Sequence, residues 1–387
     1  MVIGSKELIR DMNSKLVLET ILTAGSISRA AISKQLGLTK ATISAIVQDL
    51  INDKLVLEIG SDDTTLGRKP ILISFNKKAG YAISLDINVN MLSALATDLV
   101  GESQILKQIR TPSEADMIDS MIDLINSMKS DLTPTPYGLV GITVAIHGIT
   151  CDNKIGFTPY YDLSHIDIVK ELSNYFNVPV YLENEANLSV FGEKTYLPNN
   201  YPNMANINIH NGVGLGLILD HKLYKGANGS AGEFGHAIIK IDGIPCPCGN
   251  KGCLEQYSSE RALLSQYREM TGNENATFHT FAVDYRNNLP QAQVLSRLFV
   301  KYLSVCVTNL YNFFAPDIVI INSSFTIEFP ELLDEIHASL SDKLRDKVEL
   351  MPSALKQSSI LLGGICLTVK NFLALDRLTF HLESQEY

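Results

Sequence analysis

From Ser5 to Ala24 the apolar positions Leu8, Ile9, Met12, Leu16, Leu18, Ile21 and Leu22 return at near-helical spacing and predict one long amphipathic helix. Gly25 ends it. Ser28 is placed to cap a second helix, Arg29 to Leu36, with Ile32 and Leu36 four apart on its inner face. Gly37 then supplies a tight turn and Thr39 caps a third helix, whose buried stripe is Ile43, Ile46, Val47, Leu50 and Ile51. Leu55 to Ile59 alternates like a strand, the polar turn GSDDTT follows, and Ile71 to Phe75 reads as the returning strand. Further on, Tyr81 to Asp86, Gly138 to Ile146, Val178 to Leu182, Ala205 to Ile209 and Ile318 to Ile321 are apolar runs of strand length separated by helical segments.

Two helices joined at Gly37, followed by a hairpin, are the signature of a winged helix-turn-helix. Lys40, Thr42, Ser44 and Gln48 point away from the stripe of the third helix, and with Arg29 and Thr39 they form a polar surface suited to a major groove. The hairpin turn ends in GRKP, where Arg68 and Lys69 sit on a narrow backbone able to enter a minor groove. Charge agrees with this division. The whole chain carries a net −10, yet residues 1–76 hold nine Lys and Arg against eight Asp and Glu. Only that segment approaches phosphate without strong repulsion. A trihelical protein-interaction module with a solvated hairpin is the alternative.

At 387 residues the chain needs at least two cores. No apolar run reaches membrane-spanning length, and the start, MVIGSKELIR, carries charges and a helical pattern in place of a cleavable apolar segment. A soluble cytoplasmic protein is expected. The cysteines fit a reducing compartment, because Cys246, Cys248 and Cys253 cluster while Cys151, Cys306 and Cys366 are scattered as small buried hydrophobes would be. His236 precedes Cys246 by nine intervening residues, and together with Cys248 and Cys253 it offers one imidazole and three thiolates. Four such ligands close a tetrahedron around Zn2+ with no position left for water, so the expected metal is structural. The alternative is three free cysteines and a satisfied histidine.

The stretch GEFGHAIIKIDGIPCPCGNKGCLEQYSS, Gly232 to Ser259, resembles the signature of the ROK family, which groups sugar kinases with sugar-responsive repressors. The N-terminal part resembles the repressor branch, the xylose-repressor type in particular. The resemblance implies an α/β body of two lobes, an actin-like, ribonuclease-H-like sugar-kinase fold behind the winged helix-turn-helix. Expected units are residues 1–76, a small lobe of 77–193 with 362–387, and a larger lobe of 194–361 holding the zinc. It also implies that Asn184, Glu185, Glu233, His236 and Glu255 contact sugar hydroxyls. Carboxylates accept two hydroxyls each, and a metal on His236 fixes its tautomer. Taken without the resemblance, Glu233 and Glu255 also read as solvated loop acids.

The departures from the family pattern bear on catalysis. The family's Asn-Asp-Ala-Asn, whose Asp takes the proton from the sugar hydroxyl, is here Asn184-Glu185-Ala186-Asn187. A displacement near 1 Å of a catalytic group can cost about a hundredfold in rate. The first phosphate loop, Asp-x-Gly-x-Thr in kinases, reads DINVN with Asn88 and Asn90; the second reads HNGVG, keeping Gly212 and Gly214 but with His210 and Asn211 before them; a third glycine cluster is replaced by Asn322, Ser323 and Ser324. His147 stands where relatives have Pro, and Tyr160 and Tyr161 replace an Asn-Leu-Trp region. The expected protein is therefore a non-enzymatic, homodimeric or tetrameric repressor that binds operator DNA and a small sugar effector. The rivals are a DNA-binding ATP-dependent sugar kinase and a body held at the membrane by a transporter subunit.

Overall fold

The first three helices are α1 (Lys6–Ala24), α2 (Arg29–Leu36) and α3 (Lys40–Asn52), and the last two start at the caps that the sequence offers. The Ser28 hydroxyl accepts the Ala31 N–H at 3.2 Å and the Thr39 hydroxyl accepts the Thr42 N–H at 3.1 Å, while Gly25 and Gly37 take φ of 69° and 65°. This computed structural model describes residues 6–61, 70–197 and 201–380. Strands β2 (Val56–Ser61) and β3 (Ile71–Phe75) pair antiparallel, and β1 (Ser26–Ser28) adds to the other edge of β3. Three residues are too few to show an alternation, so β1 had no sequence signal. The hairpin tip with Arg68 and Lys69 lies outside the described residues.

Half of the α1 stripe departs from expectation. Val17, Leu18, Ile21 and Leu22 are buried, but Leu8, Ile9, Met12 and Leu16 are 45–57% exposed. A 19-residue helix is about 28 Å long, and the 8- and 13-residue helices packed on it cover its C-terminal half alone.

The body repeats one topology twice. In the first lobe β4 (Tyr81–Ile87), β5 (Met91–Asp98) and β6 (Ile105–Arg110) form an antiparallel meander, helix α4 (Met117–Lys129) follows, and β7 (Leu139–Ile146) returns parallel to β4. A small ribbon, β8 (Ile149–Cys151) and β9 (Lys154–Phe157), and helix α5 (Ile168–Phe176) lead to β10 (Val180–Asn184), parallel to β7, giving the order β10-β7-β4-β5-β6. Helix α6 (Glu185–Tyr196) then enters the second lobe. There β11 (Met204–Ile209), β12 (Val213–Leu219) and β13 (Lys222–Leu223) form the meander. Helices α7 (Glu255–Ser258), α8 (Glu260–Thr271), α9 (Phe278–Arg286) and α10 (Pro290–Phe314) precede β14 (Ile318–Ser323). After α11 (Ser324–Glu328), α12 (Glu331–Ala338) and α13 (Asp342–Arg345), β15 (Glu349–Pro352) completes the order β13-β12-β11-β14-β15.

The last helix, α14 (Ser359–Phe372), crosses α6 at backbone contact. A Cβ on Gly192 would sit 2.9 Å from the Ser359 carbonyl oxygen, and one on Gly363 would overlap the Leu188 carbonyl. The same helix adds Leu361, Leu362, Ile365 and Val369 to an apolar cluster that includes Val17, Ile21, Ile43 and Val47 of the N-terminal unit. Among the described residues no helix is long and apolar enough to cross a membrane.

Gly363→Ala should therefore force α6 and α14 apart and cost about 1–3 kcal/mol. A thermal melt of the variant should shift down by several degrees; an unchanged midpoint would mean that the crossing is not tight in solution.

Candidate functional site

One pocket between the lobes collects all five residues expected to meet sugar hydroxyls, Asn184, Glu185, Glu233, His236 and Glu255. Its volume is about 100 Å3, below the range of about 300–1,000 Å3 common to small-molecule pockets. The β10–α6 junction sets its floor. Asn184 caps α6, its side-chain oxygen accepting the Ala186 and Asn187 N–H groups at 2.9 and 3.1 Å, and its amide donates to Glu185 at 2.6 Å and to the Gly148 carbonyl at 2.9 Å. The next residue is thereby aimed into the cleft. Gly212 and Gly214 are needed for close approach: a Cβ on the first would lie 2.8 Å from Glu255 Oε2, and on the second 3.1 Å from Glu185 Oε1.

Burial pushes the Glu185 carboxyl up to about 7, opposed by the nearby His147 cation. Near neutrality it is thus both donor and acceptor to a polyol. Burial by itself would lower His147, but the Asp86 carboxylate, 2.9 Å from Nε2, outweighs it together with Glu185 and carries the imidazole to about 9. Sequence reasoning singled out His147 as a departure and missed the partner, because Asp86 lies 61 positions away on β4.

The loops at the kinase phosphate positions are held by the chain itself. Asn211 donates from its amide to Asn88 Oδ1 at 3.1 Å, joining the β11–β12 turn of one lobe to the β4–β5 turn of the other. The buried Asn322 donates to Asn208 Oδ1 at 2.9 Å and to the Ser359 hydroxyl at 2.8 Å. Ser323 caps α11, and the Ser324 N–H donates to Glu260 Oε1 at 2.8 Å.

Beside the pocket, His236, Cys246, Cys248 and Cys253 place one ligand atom each within 4.8 Å of the others. Cys246 Sγ is 3.6 Å from His236 Nδ1 and Cys248 Sγ is 3.6 Å from Cys253 Sγ. Bond lengths of about 2.3 Å to sulfur and 2.0–2.1 Å to nitrogen give tetrahedral edges of roughly 3.5–3.8 Å, so the donor set fits such an ion. Gly249 and Gly252, at φ 94° and 80°, let the loop close. With Nδ1 on the metal side, Nε2 faces Glu233 at 3.9 Å.

On the N-terminal unit the expected DNA-facing residues separate. Lys40, Ser44 and Gln48 are exposed on α3, Gln48 bonding to Asn52 at 3.1 Å. Thr39 and Thr42 are engaged in the cap, and Arg29 is paired with Glu58 of β2 at 2.8 Å.

Residues 82–370 match the ROK family, and the chain is 35% identical to the xylose repressor of Bacillus subtilis over 96% of its own length and 98% of that protein's. This chain belongs to the ROK family. Among solved structures, a ROK family transcriptional regulator, homolog of the Escherichia coli MLC protein, superposes with a TM-score of 0.78 at 22% identity, covering 94% of this chain and 97% of that one. A ROK family glucokinase from Streptomyces griseus, solved with glucose and AMPPNP, reaches 0.67 at 22% identity and covers 74% of this chain and 99% of its own. The ROK fold is thus shared with kinase and regulator alike, and residue chemistry has to separate them.

The Asp86–His147 pair has a pH signature. A histidine raised from 6.5 to about 9 contributes stability that is complete below about pH 6.5 and lost as the pH rises through 9. His147→Asn should lower the thermal midpoint most at pH 6 and hardly at all at pH 9.5; a deficit independent of pH would contradict the ion pair.

Proposed function

We propose that this chain is a cytoplasmic, sugar-responsive transcriptional repressor of carbohydrate-utilisation genes, with a winged helix-turn-helix that reads operator DNA. One observation carries the reading. Likeness to a xylose repressor runs through 96% of the chain, whereas the ROK match begins only at residue 82 and the glucokinase likeness covers 74%. The span of that likeness reaches into the N-terminal unit, which exposes Lys40, Ser44 and Gln48.

The body serves as effector-binding and dimerisation unit without phosphoryl transfer. In support, the polyol pocket is furnished with carboxylates and amides while Asn88 and Asn211 tie the two phosphate loops together. Glu185 then acts as a sugar ligand and not as a base. A Zn2+ on His236, Cys246, Cys248 and Cys253 is structural, worth about 10 kcal/mol or more to local folding, and leaves the His236 proton on Nε2 for a sugar hydroxyl. Residues 1–76, 77–193 with 362–387, and 194–361 are the working units. The exposed Leu8, Ile9, Met12 and Leu16 of α1 support pairing of two copies, whose recognition helices meet successive major grooves about 34–36 Å apart. Sugar binding shifts that pairing by a coupling of roughly 1–3 kcal/mol.

A mobility shift on the DNA upstream of the chain's own reading frame tests this. Binding should weaken with one of a panel of pentoses and hexoses, and a panel without effect counts against it. Gln48→Ala should cost about 1–3 kcal/mol and relax base preference at one position, while Lys40→Ala weakens all sites alike. Steady ADP release with sugar and ATP would instead favour the kinase. Separately, the purified protein should carry one equivalent of zinc, and Cys253→Ser should lose it and melt at lower temperature; metal-free protein of full stability would remove the zinc from the account.

A further inference from the structure

Three successive carbonyls at the C-terminal end of α3 are held from outside the helix. The last carbonyls of a helix have no partner within it. Here the Asp53 carbonyl accepts the Tyr137 hydroxyl at 2.7 Å, the Lys54 carbonyl accepts the Asn76 amide at 2.7 Å, and the Leu55 carbonyl accepts the Asn76 N–H at 2.8 Å. Asn76 ends the N-terminal unit, whereas Tyr137 belongs to the first lobe, in the loop before β7. The Tyr137 ring meets Phe372 of α14 edge-on, with centroids 5.1 Å apart. One side chain thus touches the N-terminal unit, its own lobe and the helix that crosses α6. Burial and then the Asp53 carboxylate raise the Tyr137 pKa, which keeps the hydroxyl a donor. The link between the units is held at the same place. The Tyr137 N–H donates to the Ala79 carbonyl at 2.8 Å and the Tyr81 N–H to the Gly138 carbonyl at 2.9 Å, so the link runs along residues 137–138 on main-chain bonds. Gly80 allows the approach, since a Cβ there would lie 2.7 Å from Val140 Cγ1.

The apolar cluster that α1 and α3 share with α14 is non-directional, whereas a hydrogen bond weakens steeply as it departs from a straight line. The Tyr137–Asp53 bond therefore fixes a direction that the apolar cluster leaves free. The leverage is large. A 13-residue helix is about 20 Å long. Tilting it by about 10° about its anchored end moves the far end, where Lys40 and Ser44 are exposed, by roughly 3.5 Å, close to the step of about 3.4 Å between bases of one DNA strand. We propose that Tyr137 is a positioning residue that sets the angle of α3 on the body and so selects the spacing between two operator half-sites. The inference rests on the repressor reading, in which two paired copies each present one α3 to the same duplex. Because Tyr137 is 41% exposed, its hydroxyl can be removed without repacking a core.

The test is binding of the full chain, at fixed ionic strength, to the upstream fragment that the wild type protects and to derivatives with one or two base pairs inserted or removed between the half-sites. A duplex carrying a single half-site is the control. Tyr137→Phe keeps the ring against Phe372 and removes only the donor. It should bind the natural spacing about 3- to 10-fold more weakly and lose at least about threefold of the discrimination against the altered spacings, with single half-site affinity unchanged. Tyr137→Leu, which removes the ring contact as well, should go further in the same direction. Equal weakening on every probe, the single half-site included, would reduce Tyr137 to a structural contact and overturns the proposal. So does undiminished spacing discrimination in both variants. A wild-type chain that protects no fragment overturns the repressor reading itself, and the spacing role with it.

Discussion

The backbone contact between α6 and α14 is the constraint on which the other parts depend. Gly192 and Gly363 remove the side chains that would hold the helices apart, and Gly364 admits Ser84 of β4 on the next face. Around the crossing runs a buried polar chain: Asn206 donates to Ser189 at 2.6 Å, the Ser189 and Ser359 hydroxyls meet at 2.9 Å, and Asn322 reaches Ser359 and Asn208. Its hydrogen bonds link α6, α14, β11 and β14, while Asn206 Oδ1 and Asn322 Oδ1 are left without a partner among the described residues. Both lobes are thereby referred to a single helix pair. The N-terminal unit is referred to it as well, through the apolar cluster that α14 shares with α1 and α3.

From that pair the cleft inherits its geometry. Helix α6 begins at the Asn184 cap, so the same element that joins the lobes also presents Glu185 to the pocket. A buried carboxyl that titrates near neutrality, a histidine kept cationic by Asp86, and an amide that bridges the β4–β5 and β11–β12 turns meet in that cleft. In this chain a hydrogen bond from Asn211 to Asn88 joins those turns, within a fold that solved kinases and a solved regulator share.

Short contacts join the cleft to the N-terminal unit in this molecule. Helix α6 starts at the cleft, while the segment after α14 touches both Glu19 and the end of α6. Helices α6 and α1 are thus joined through the segment after α14 by two hydrogen bonds of its main-chain N–H groups.

Local chemistry was legible in the sequence wherever the interacting residues are neighbours. Helix caps at Ser28 and Thr39, turns at Gly25 and Gly37, the strands β4, β7, β10, β11 and β14 and the compact His236–Cys253 cluster follow from spacing, while β5, β6, β12, β13 and β15 of the same sheets are not read from it. The family signature added the membership of the cleft. What only the tertiary structure decided are meetings between distant positions: Asp86 with His147, and Asn88 with Asn211. Periodicity marks which side of a helix is apolar but not whether a partner covers it, and α1 shows the difference, with Leu18 and Ile21 buried and Leu8 and Met12 exposed on a helix longer than its neighbours.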